Sequence, residues 1–118
     1  HILNGFIWGL WGLYDYAIFF QDKKILEKFL SYSTTITKNL KKYDIKYWSK
    51  YEQSNKIIPM ISSKFYHRLH IVQLKIMMDL TGDEKYLKYA ERWQKQLNNF
   101  FYRQISLLHK AIFKVLFY

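Results

Sequence analysis

Residues 65–71, Phe65-Tyr66-His67-Arg68-Leu69-His70-Ile71, open an apolar run that continues through Met78. The run predicts a helix over His67–Leu80, closed by Thr81-Gly82, where glycine supplies the left-handed cap. A phenol, two imidazoles and a guanidinium thus fall near one helix start. Unpaired N–H groups and a partial positive charge at such a start favour anions and a phenolate. Packing and capping would use the same residue types, and nothing local separates the two readings.

Outward from this stretch the pattern stays helical. Ile2–Phe20 is apolar on nearly every face, as for an element packed on both sides, and Gly5, Gly9 and Gly12 leave one stripe bare. That stripe predicts a close approach by another helix, with room for a ligand as the alternative. Asn4, Asp15 and the three glycines interrupt the run, and an ionisable group inside a bilayer is costly, so no membrane span is expected. Asp22 predicts an N-cap for a second helix with Ile25, Leu26, Phe29, Tyr32, Ile36 and Leu40 at helical spacing, ending near Lys41. Asp83 caps another, with Tyr86, Leu87, Ala90, Trp93 and Leu97 on its inner face, and Phe101–Tyr118 reads as a last amphipathic helix.

Between the helices the period changes. Tyr43, Ile45, Tyr47, Ser49 and Tyr51 alternate with Asp44, Lys46, Trp48 and Lys50, which predicts a short extended aromatic segment or hairpin near 43–52. Rings on a loop suit the faces of sugars or bases, and they also serve as plugs over a core. Gln53–Ser63, with Pro59, reads as a loop containing a helical turn. The Asp22 pattern is echoed 61 residues later from Asp83, each copy following an apolar helix. The repeating unit is therefore a helical hairpin, and the spacing does not match the 34-residue tetratricopeptide period. It fits the arc of an (α/α)-toroid, an all-α fold in which hairpins ring a cleft. Residues 1–118 then form a single partial domain, whose exposed flank is open to pairing with a second copy.

At 118 residues the chain suffices for one core, and half of it is hydrophobic and a fifth aromatic. The absence of cysteine excludes disulfides and thiolate chemistry. A net charge of +10 points to a polyanion, yet the excess is mostly lysine, with arginine only at 68, 92 and 103. Compositional bias explains such an excess equally well. No arginine-rich or known nucleic-acid module appears, so nucleic acid is not the expected partner.

Catalytic motifs are few. His67 and His70 share a helix face at i, i+3, but a third ligand and a His-Glu-x-x-His pattern are missing, so no metal is expected. Serine or cysteine nucleophile motifs, phosphate-cradling glycine loops and a carboxylate pair for glycoside hydrolysis are absent as well. Tyrosines remain.

Leu3-Asn4-Gly5-Phe6, then Leu10 and Gly12-Leu13-Tyr14-Asp15, resemble the C-terminal helical domain of D-glucuronyl C5-epimerases. So do Tyr43-Asp44 with Tyr51 eight residues on, Tyr66-His67 with His70-Ile71, Gln73-Leu74, and Arg92-Trp93. Order and approximate spacing agree over residues 2–97. The resemblance implies an enzyme that inverts C5 of glucuronate to iduronate within a heparan- or heparosan-like acidic polysaccharide, without a cofactor. It implies Tyr51 and Tyr66 as the acid/base pair, facing each other across a sugar cleft. Asn4, Tyr43, Trp48, His67, Arg68 and His70 are the implied substrate contacts, with Tyr47 as a further stacking platform. A phenol with an ordinary pKa near 10 needs positive neighbours to act as a base, and His67, Arg68 and His70 are the cations at hand. The family's catalytic carboxylate falls upstream of Leu3, so the chain alone is expected to be inactive. A non-catalytic helical-repeat module binding an acidic glycan or a protein partner is the alternative.

Overall fold

The computed structural model describes residues 1–54 and 56–118; Asn55, within the expected 53–63 loop, lies outside the described residues. Five helices follow in order: α1 (Leu3–Phe19), α2 (Lys23–Tyr43), α3 (Lys64–Thr81), α4 (Glu84–Asn98) and α5 (Phe100–Phe117). Each of the last four begins at a side chain able to accept from the first turn. Asp22 accepts from the Ile25 N–H, Ser63 from Tyr66, Asp83 from Lys85 and Asn99 from Tyr102. Gly82 closes α3 in the left-handed region at φ 70°, as its position predicts.

The helices pair as two antiparallel hairpins, α1 with α2 and α3 with α4, and α5 packs on α4. Their shared core contains Leu3, Ile7, Leu10, Phe29, Ile36, Leu40, Ile71, Leu74, Met77, Tyr86, Ala90 and Trp93. Tyr86 pins one hairpin to the other, its hydroxyl donating to the Ser33 carbonyl at 2.9 Å and lying 2.8 Å from Ser33 Oγ. Burial raises the Tyr86 phenol to about 12, so this tie stays protonated. The 61-residue echo is structural at both caps and at Phe29 and Ala90, which are fully buried. It fails at Tyr32, which is exposed where its counterpart Trp93 is buried.

Two boundaries and one turn differ from expectation by more than a residue. Ser63, a better cap than anything in 65–67, starts α3 three residues earlier, and α2 runs two residues past Lys41 to Tyr43. The helical turn expected within 53–63 is absent among the described residues. The glycine stripe differs too. A Cβ at Gly5, Gly9 or Gly12 would meet nothing within 4 Å, so among the described residues no helix approaches closely there.

The 44–63 segment forms no strand among the described residues; residues 45–48 make a tight turn, the Ile45 N–H donating to the Trp48 carbonyl at 2.9 Å. Isolated antiparallel bridges join Asp44 to Ser49, Lys50 to Ile61 and Ile2 to Glu52. Asp44 fixes one end of it, accepting from Arg92 Nε and Trp93 Nε1 at 2.8 Å each and from Gln96 Nε2 at 3.3 Å. Arg92 is half exposed, so the ion pair contributes little. The buried indole and amide donors matter more. Asp44→Ala is expected to lower stability by about 1–3 kcal/mol, measured by urea denaturation, because it strands those donors.

Candidate functional site

The 44–63 segment delivers Tyr51 to the start of α3. Lys50 bridges to Ile61, and the Tyr51 N–H donates to the Met60 carbonyl at 2.9 Å, which sets Tyr51 beside the residues leading into the Ser63 cap. Tyr66 occupies the first turn of α3 and meets Tyr51 edge to face, with ring centroids 4.9 Å apart and planes at 66°. Both rings are half-buried. Burial first, then Tyr66 and the Glu52 carboxylate, raise the Tyr51 pKa.

The pair does not flank a cleft. A pyranose between two rings needs about 7–8 Å, two van der Waals contacts of about 3.5–4 Å each, and these rings are already touching. No sugar ring fits between them.

The expected cations lie elsewhere. His67 and His70 point into the core and are completely buried. Ser49 Oγ lies 2.8 Å from His67 Nδ1 and 3.1 Å from His70 Nδ1, and 3.2 Å from Ser62 Oγ. The Ser49 N–H also donates to His67 Nδ1, so the proton sits on His67 Nε2, which donates to the Trp93 carbonyl at 3.0 Å. Desolvation lowers His67 to about 4; desolvation and then His67 lower His70 to about 3. Both are neutral near pH 7 and cannot hold a carboxylate as cations. The close Ser49–His67 pair is no nucleophile either, since neither residue is exposed.

Trp48 is also interior. It is 1% exposed, stacks on His67 at 3.8 Å and 12°, and donates Nε1 to the Ser62 carbonyl at 2.9 Å. The loop ring is therefore a plug over the core, not a platform. Tyr47, part-buried, is tied up with His109 Nδ1 at 2.5 Å.

Tyr43 gives its hydroxyl to the His1 carbonyl at 3.1 Å and lines a cavity of about 440 Å³ with His1, Leu3, Phe6 and Asn39. None of Tyr51, Tyr66, His67 or His70 reaches that cavity. Asn4 sits on α1, its carbonyl accepting from Gln73 Nε2 at 3.2 Å. Asn4 Oδ1, Gln73 Oε1 and His70 Nε2 are buried without partners, three unmet polar atoms contributed by α1 and α3.

Arg68 is exposed and lines an open groove of about 340 Å³ with Lys64, Lys75 and Arg103. It is two residues from Tyr66, about 200° around the helix, so it leaves on a different side. Sequence adjacency at 65–71 thus hid three destinations: phenol to the link, imidazoles to the core, guanidinium to the groove. Lys64, Lys75 and Arg103 were missed by the sequence reading. Their signal was the 64, 68, 75 spacing, which returns to one helix face.

A sequence model of the family described as "D-glucuronyl C5-epimerase C-terminus" matches residues 1–95. No curated protein and no solved structure matches the chain.

Proposed function

The chain belongs to the D-glucuronyl C5-epimerase C-terminal family, and from that premise we infer that it serves the inversion of C5 of glucuronate to iduronate in an acidic polysaccharide. The observation that carries this reading is the contact between Tyr51 and Tyr66, side chains 15 positions apart in sequence.

The chemistry requires removal of the C5 proton next to the uronate carboxylate, then return of a proton to the opposite face. Negative charge builds on the carboxylate in between, and a fixed positive or hydrogen-bonding environment lowers that barrier. With touching rings, Tyr51 and Tyr66 work one face of the sugar. Tyr51, whose pKa burial and then Tyr66 raise, is kept protonated and carries a proton to C5, with Tyr66 beside it on the same face. The other face takes a second proton carrier. The reaction consumes no oxidant and needs no redox cofactor.

The toroid arc belongs to the same reading. Two hairpins in series support it, as do the open glycine stripe and the exposed Phe6, Trp8 and Tyr16 on α1, surfaces that neighbouring hairpins would cover. A second copy on that flank would cover them too.

The test is direct. Incubating the intact protein with heparosan in deuterated water is expected to place deuterium at C5 and to yield iduronate, read by NMR. Binding without exchange would favour the alternative, a non-catalytic module for an acidic glycan. One observation favours that alternative: His67, His70 and Trp48 are sealed in the core, away from any ligand.

A further inference from the structure

We propose that the groove between α3, α4 and α5 is a separate binding rail for the anionic groups of a carboxylated or sulfated glycan chain. The proposal rests on the epimerase reading for the choice of polymer, but not for its geometry.

Lys64, Arg68 and Lys75 project from one face of α3. Their spacing of four and then seven residues makes eleven in all, about three turns and about 16 Å of helix. Arg103 faces them from α5. Its guanidinium is held in place, Nη1 donating to the Leu97 and Asn98 carbonyls at 3.2 and 3.4 Å at the end of α4. Four cations therefore line the groove, and no acidic side chain does among the described residues. A linear rail of this length suits a polymer with repeated charges better than a single small anion.

Two features select a glycan over a nucleic acid. Among the described residues no aromatic ring lines the groove, whereas sequence-tolerant binding of single strands relies on rings for base stacking. The far wall instead offers the amides of Gln94 and Asn98, bonded to each other at 3.0 Å and suited to sugar hydroxyls. The groove begins at Lys64, within one helical turn of Tyr66, though on another face of α3. A long chain seated in the rail would leave it near the tyrosine pair, where a monosaccharide would gain nothing.

Lys64, Arg68 and Lys75 are exposed, so their replacement leaves the core untouched. The triple variant K64A/R68A/K75A is expected to bind heparosan about tenfold or more weakly at low salt, by calorimetry, with unchanged circular dichroism. The difference should shrink as salt screens the charges. A control removing equal charge, K23A/K24A/K28A on α2, should retain wild-type affinity. Equal loss in the control, or unchanged affinity in the groove variant, overturns the proposal. So does tighter groove-dependent binding of a single-stranded oligonucleotide of matched charge. Groove-dependent binding without C5 exchange would uphold the rail while sinking the epimerase reading. Exchange in the wild type, with KM unmoved in the triple variant, would do the reverse.

Discussion

Tyr51→Phe and Tyr66→Phe are each expected to slow solvent exchange at C5 by about a hundred- to ten-thousand-fold in the intact protein, the range for loss of one positioned proton carrier. Phenylalanine keeps the ring, so the edge-to-face packing at 4.9 Å survives and the fold with it. Only the hydroxyl goes. On the proposed mechanism the phenols act in the transition state, so kcat should fall while KM stays near its starting value. The double variant should be hardly worse than the worse single one, since the two hydroxyls operate as a unit on one face of the sugar. Deuterium incorporation into heparosan, followed by mass spectrometry, measures all of this. Full exchange in both single variants would remove the tyrosine mechanism. Strictly additive losses would instead assign the two phenols to separate steps, contrary to rings that touch.

How far the letters of the chain reveal this arrangement depends on the range of the interaction. Caps are local, and Asp22, Asp83 and Gly82 act where their chemistry predicts. The period of two at 43–52 is met only in part: α2 runs through Tyr43, residues 45–48 turn back on themselves, and only isolated bridges flank the turn. It could not say whether Trp48 faces water or the core. That is decided by Ser62 and His67, 14 and 19 residues onward, which give the indole a partner for its N–H and a ring to stack on. The histidines misled for the same reason. At i, i+3 they share a face, but which face depends on Ser49 and Trp93 arriving from elsewhere in the chain. Arg68 shows the reverse case. Its helical phase relative to Lys64 and Lys75 is readable from numbering, while the chemistry clustered at 65–71 drew it to the wrong partners. Gly5, Gly9 and Gly12 promise a close neighbour that no helix among the described residues provides.

The buried histidines make a second large effect, on stability in mild acid. In the unfolded chain His67 and His70 titrate near 6.5, whereas in the folded protein they do so at about 4 and about 3. Between these values the unfolded state binds more protons than the native one, so stability falls as pH falls through that window and is fully present above about 6.5. Each group contributes a slope of up to about 1.4 kcal/mol per pH unit. Two such groups over two units remove on the order of 5 kcal/mol, comparable with the whole stability of a small domain. Urea midpoints should therefore drop steeply from pH 6.5 to 5, before most carboxylates begin to protonate. His67→Gln keeps an acceptor for Ser49 and a donor for Trp93, so it should still fold, and its slope in that window should be about half. Stability that is flat between pH 5 and 7 would mean that the imidazoles are not held neutral in the core. They would then be free to charge beside a uronate, and the division between a buried imidazole knot and an external cationic rail would be lost. If the slope appears, the imidazoles stay in the core, and the proposed contact with the polymer falls to the groove of Lys64, Arg68, Lys75 and Arg103.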